Sequence, residues 1–94
     1  MNKKITLYHG TKQTNIESIK RNGIRAGIMH DVDLVTSKLY ASTYADSGGA
    51  IIKIVIPVNL VNIIPKEYGE VNKLIFATAT FIHPKYIKSI KIIK

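Results

Sequence analysis

The order of elements along the chain predicts an α+β fold, with a mixed or antiparallel sheet and two short helices in the N-terminal half. Three observations carry this reading. The run Ile5-Thr6-Leu7-Tyr8 alternates and is rich in β-favouring residues, and helical spacing begins a few residues after it. A second helical pattern lies around residues 38–46, and none follows it. The second half instead contains apolar β-type runs, AIIKIVI and LIFATATFI, and ends on a short strand-like segment. Helices early and strands late suit an antiparallel or mixed sheet better than a doubly wound one.

The elements follow in order. The first strand ends on His9-Gly10-Thr11, where a titratable ring meets a residue that allows close backbone approach. Thr14 and Glu17 have capping-box spacing, Ile16 and Ile19 give the first helix a buried side, and Gly23 stands where an αL C-cap belongs. Residues 24–31, bracketed in part by Gly23 and Gly27, read as a loop. Val32 to Thr36 reads as a short strand, and Ser37 as the cap of a helix from Lys38 to Asp46 with Tyr40, Ala41, Tyr44 and Ala45 at helical spacing. Ser47-Gly48-Gly49 stops it. Ala50 to Ile56 is expected to be a central strand ended by Pro57, and Val58 to Asn72 is irregular. Leu74 to Ile82 is expected to be one long strand pairing with Ala50 to Ile56, with Phe76, Thr78 and Thr80 on one face and Ala77, Ala79 and Phe81 on the other. His83-Pro84-Lys85-Tyr86 reads as a turn or 3₁₀ segment, and Ser89 to Ile93 as the last strand. Lysines 85, 88, 91 and 94 fit a solvated sheet edge.

Ninety-four residues, 46 % of them hydrophobic, suit one domain over 1–94 with a core of its own. The absence of cysteine argues against a disulfide scaffold or a thiolate metal site. His9, His30 and His83 are scattered and have no metal-ligand spacing. No apolar segment approaches the ~20 residues of a membrane span, and Lys3-Lys4 is followed by too short an apolar run for a signal peptide, so a soluble cytoplasmic protein is expected. A nucleophile elbow, a P-loop and a dinucleotide fingerprint are missing from the sequence. Fourteen basic residues against six acidic ones give a net charge of +8, which favours anionic ligands and leaves nucleic acid as a partner. Only Arg21 and Arg25 are arginines, and a solvated lysine surface accounts for the same charge.

Four short motifs in sequence resemble the ADP-ribosyltransferase superfamily, which includes the poly(ADP-ribose) polymerase catalytic fold and the RNA 2′-phosphotransferases. They are Tyr8-His9-Gly10-Thr11 with its helix ending in Gly23-Ile24, then Ala41-Ser42-Thr43-Tyr44-Ala45, then Gly48-Gly49 into an apolar strand, and finally His83-Pro84-Lys85-Tyr86-Ile87 into Lys91-Ile92-Ile93. The resemblance covers most of the chain and implies a compact domain of that fold, with NAD as substrate. It implies that His9 hydrogen-bonds the nicotinamide-ribose hydroxyl and that the backbone of Gly10 grips the carboxamide. Thr11 would face the adenosine side, and Tyr44 would stack on the nicotinamide ring. A planar cationic ring against an aromatic face is favourable on physical grounds.

Two positions depart from the family pattern. The second-strand tyrosine of polymerase-like members falls near Asp33 or Leu34, neither aromatic. The glutamate falls near Thr78, in a run without an acid, which leaves Glu70 upstream as a candidate for the carboxylate. That group would hold the ribose hydroxyl and stabilise oxocarbenium character. The resemblance therefore implies either transfer of ADP-ribose from NAD to a macromolecular acceptor, or a catalytically reduced scaffold that binds a nucleotide, a nucleic acid or a protein. The 2′-phosphotransferase branch would instead bring His9, His30 and Arg25 to a 2′-phosphate. That branch carries a further arginine ahead of the first-strand motif and a separate nucleic-acid-binding domain, and this chain has neither.

Overall fold

Two strands whose registers match over eight positions form the spine of the molecule. A computed structural model describes residues 3–26, 32–42, 49–64 and 75–93. In it β1 (Lys4–Thr11) pairs antiparallel with β4 (Ala50–Pro57) from Lys4 opposite Pro57 to Thr11 opposite Ala50. Around them lie α1 (Ile16–Asn22), β2 (Ile24–Arg25), β3 (Val32–Val35) and α2, described over Lys38–Ser42. The second half adds β5 (Asn62–Ile63), β6 (Phe76–Ala79), β7 (Phe81–Ile82) and β8 (Ile87–Ile92). Three 3₁₀ turns, Gln13–Asn15, Val58–Leu60 and Pro84–Tyr86, join elements. The main sheet has the order β5-β6-β3-β1-β4-β8, and β2 and β7 form a separate two-stranded sheet. The chain is α+β, and every pairing among the described strands is antiparallel.

Side chains opposite one another across a ladder share a face. Ile5, Leu7, His9 and Thr11 therefore lie with Ile56, Ile54, Ile52 and Ala50 on one face of the sheet. That face holds the main core: Leu7, Ile52, Ile54, Ile56 and Ile82 are all but inaccessible to solvent, and Leu34, Ala77 and Ala79 join them. Ile19 of α1, Ile24 of β2 and Ile82 of β7 cover it. The reverse face is smaller. Val35, Ala41 and Ile51 are buried there, with Tyr8 and Phe76 against them, so α2 covers that side.

Several local expectations change. The Thr14–Glu17 capping box does not form: Thr14 lies inside the 3₁₀ turn, and Asn15 precedes α1 without a side-chain bond to it. His9-Gly10-Thr11 is no turn, because β1 continues through Thr11 in the β4 ladder. Gly23 takes positive φ (+81°), but its ψ of −171° is extended rather than αL. Its N–H donates to Ile19 O at 2.8 Å, and the extended ψ sends the chain into β2 instead of a loop. The run from residue 74 to 82 is not one strand and does not pair with β4. It divides at Thr80, whose carbonyl accepts from Ala26 N at 3.0 Å, so β6 stays in the main sheet beside β3 while β7 leaves to pair with β2. Phe81 is consequently 43 % exposed. Residues 1–2, 27–31, 43–48, 65–74 and 94 lie outside the described residues.

Ile52→Ala should destabilise the protein by about 2–5 kcal/mol, as truncation of a fully buried aliphatic side chain does. Phe81→Ala should cost less than Ile52→Ala, about 1–2 kcal/mol, because 43 % of its surface stays exposed. Chemical denaturation of the two variants checks the contrast, and equal midpoints would contradict the described core. Gly23→Ala tests the α1–β2 corner. A Cβ there would collide with the Ile82 carbonyl oxygen and press on Pro84 and Phe81, on a backbone that L-residues avoid. The strained φ alone costs about 1–3 kcal/mol, so the midpoint should fall by at least that equivalent.

Candidate functional site

Strand alternation fixes where His9 points. It continues the row Ile5, Leu7 on the core face of β1 and is half-buried there, with Thr11 buried beyond it in the same row. On its other side β1 is bridged to β3 at Tyr8–Val35. Near this bridge the Asp33 carbonyl is met by a side chain: His9 Nδ1 lies 2.9 Å from Asp33 O. A carbonyl only accepts, so Nδ1 carries the proton, and in the neutral ring Nε2 keeps its lone pair. Burial lowers the His9 pKa below its ordinary value, and this outweighs the opposing effects of the Asp33 carbonyl bond and the Asp33 carboxylate. The imidazole is therefore neutral near pH 7, with Nε2 as an acceptor.

His9 forms one wall of a cleft of about 520 Å³, a volume within the range of small-molecule sites. The opposite wall comes from α1. Asn15, Ser18 and Asn22 recur at helical spacing and all three line the cleft, with the buried Ile19 beneath them, while Ile16 is buried outside it. Thr11 lies at the base, 9 % exposed, and its Oγ1 accepts from Asn15 Nδ2 at 2.9 Å, which orients that carboxamide across the strand–helix corner. Gly23, Ile24 and Arg25 complete the lining, so an arginine shares the cleft with the neutral histidine.

The residues singled out in the sequence fare differently. His9 and Thr11 both line the cleft. Gly10 lies between them in the β1 ladder opposite Ile51, on the reverse side chain register. Thr78 does not join them. Tyr8 is opposite Val35, Val35 opposite Phe76, and Thr78 is two residues on and opposite Asp33, so its side chain belongs to the face that α2 covers. Tyr44, Glu70 and His30 lie outside the described residues. Among the described residues the acids are Glu17 and Asp33, and neither lines the cleft. Nor does any group of three His, Cys, Asp or Glu among them suit a metal ion. No helix among them is long and apolar enough to cross a membrane.

Asn15, Ser18 and Asn22 escaped the sequence reading. Their signal is a small polar stripe at i, i+3 and i+7 beside the Ile16/Ile19 stripe, which any solvated helix face also shows. No protein-family model matches the chain, and no curated protein matches it significantly.

The depressed His9 pKa has a consequence for stability. As pH falls through about 6.5, the unfolded chain takes up this proton before the folded chain does. Stability is then full above that value and declines as pH falls toward the lower folded pKa. His9→Gln keeps a donor for Asp33 O but does not titrate there. Denaturation midpoints between roughly pH 5 and 7 should fall with acid more steeply in the wild type than in His9→Gln, and parallel curves would refute a buried neutral His9.

Proposed function

We propose that this chain is an ADP-ribosyltransferase-like protein whose cleft binds NAD or a related ADP-ribose nucleotide. The observation that carries the reading is the His9 arrangement: a neutral imidazole, held through Nδ1–H by Asp33 O, at the wall of a polar cleft. A ribose hydroxyl is a donor, and a fixed Nε2 lone pair is the acceptor it needs. Asn15, Ser18 and Asn22 supply the mixed donors and acceptors that a sugar and an amide require, and Arg25 supplies the cation for a diphosphate. In this reading Thr11 lies toward the adenosine side and the backbone of Gly10 meets the carboxamide, while Tyr44 provides the ring face for nicotinamide.

In the transfer reaction the C1′–N glycosidic bond breaks and nicotinamide leaves neutral with the bonding pair. An acceptor heteroatom bonds C1′ and gives up a proton. A carboxylate stabilises the positive charge that develops on the ribose, and its removal costs ~10²–10³ or more in rate. Thr78 is on the opposite sheet face from His9, so in this reading the role falls to Glu70. A scaffold that binds without turnover is the second reading, favoured by the lack of an acid among the described cleft residues.

Calorimetric titration of ADP-ribose and NAD should show binding by the wild type, weakened about 3–10-fold in His9→Ala for the loss of one net hydrogen bond. Unchanged affinity in a folded His9→Ala variant would move the site elsewhere. Nicotinamide release together with transfer of labelled ADP-ribose to an acceptor, both lost in Glu70→Gln, makes the protein a transferase, and binding without release makes it a reduced scaffold.

A further inference from the structure

Beside the cleft, the described surface carries a run in which cations and aromatic rings alternate. The Arg25 guanidinium lies 5.8 Å from the centroid of Phe81. Phe81 and His83 meet edge to face with centroids 6.2 Å apart, and His83 and Tyr86 do so at 6.4 Å, both at 78°. The Lys85 ammonium lies 5.2 Å from the Tyr86 centroid. The fold builds this run deliberately close: Arg25 and Phe81 are register partners across β2 and β7, so they share a face of that small sheet. The 3₁₀ turn Pro84–Tyr86 then brings Tyr86 back beside His83.

The run is ordered before any ligand arrives. His83 Nδ1 accepts from Lys85 N–H at 3.0 Å, which fixes the imidazole. Tyr86 packs in part against the main core, which anchors the far end. Phe81 is 43 % exposed, and Arg25, His83 and Lys85 are exposed as well. The exposed part of the Phe81 ring, beside the Arg25 guanidinium, offers surface to another planar group.

We propose that Arg25, Phe81, His83, Lys85 and Tyr86 form a platform for single-stranded nucleic acid. Unpaired bases offer free π-faces that stack on rings, and the phosphates between them meet Arg25 and Lys85. A duplex hides those faces and offers phosphates alone. An acidic protein would need cations but no open rings, and lysines abound elsewhere on this chain. The net charge of +8 draws a polyanion in, and the rings make the binding selective for an unstacked strand. Phe81, His83, Lys85 and Tyr86 do not line the His9 cleft, so the platform stands independently of the nucleotide reading, with Arg25 alone common to both.

Fluorescence anisotropy with labelled oligothymidylate, oligouridylate and a duplex of the same length tests it on the full chain. The single strands should bind more tightly than the duplex. Phe81→Leu should weaken single-strand binding roughly 5–100-fold, the equivalent of one stacked base, with the salt dependence unchanged. Phe81→Tyr should bind like the wild type, and thermal melting checks that both variants fold. Lys85→Gln should reduce the salt slope by about 1. A preference between the two single strands names DNA or RNA as the source, and equal binding assigns the platform to base faces and phosphates common to both. Phe81→Leu binding as well as the wild type, equal affinity for the duplex, or full displacement by polyglutamate would each overturn the proposal.

Discussion

The register of β1 against β4 is the constraint on which the rest of the structure depends. Eight consecutive pairs set which residues of β1 face the main core, and His9 is among them only because Ile5 and Leu7 are. A slip of one residue would turn Leu7 and His9 to the α2 face and bring Thr6 and Tyr8 inward. Burial of Leu7 against Ile52 and Ile54, all three inaccessible to solvent, forbids that slip. The apolar row thus aims the histidine. The same alternation that buries Leu7 presents the imidazole two residues on to a cleft.

The second wall depends on Gly23. α1 has only seven residues, and its two buried isoleucines hold it against the sheet. Gly23 ends it with a positive φ and passes so near the Ile82 carbonyl that no side chain fits. This close passage lets β2 meet β7, which puts Arg25 in the lining of the cleft and Phe81 beside it. One glycine therefore sets the width of the cleft and joins it to the aromatic run.

Electrostatics divide the two surfaces. Inside the cleft, desolvation keeps His9 neutral even though Asp33 is adjacent, so the group offered there is an acceptor. Outside it, the exposed Arg25 and Lys85 lie over the rings of Phe81 and Tyr86. Arg25 is common to the cleft and to the ring run.

The sequence by itself determined the α+β class, the first strand, the helix built on Ile16 and Ile19, the central AIIKIVI strand and the 3₁₀ turn after His83. Each of these is written in local periodicity or in proline and glycine chemistry, which act over a few residues. His9 and Thr11 were legible as a pair for the same reason, since they flank a glycine at the end of an alternating run. Only the tertiary structure decided that LIFATATFI divides at Thr80. Every residue of that run favours a strand, and the choice of partner belongs to β3 on one side and β2 on the other. It also decided that Thr78 faces away from His9, because two intervening ladder registers, not the distance along the chain, set the face a residue occupies. The polar stripe of α1 comes to line a cleft, and the rings from Phe81 to Tyr86 meet cations, for a similar reason. Each needs a partner surface from a distant part of the chain, and periodicity within one segment says nothing about what will be placed across from it.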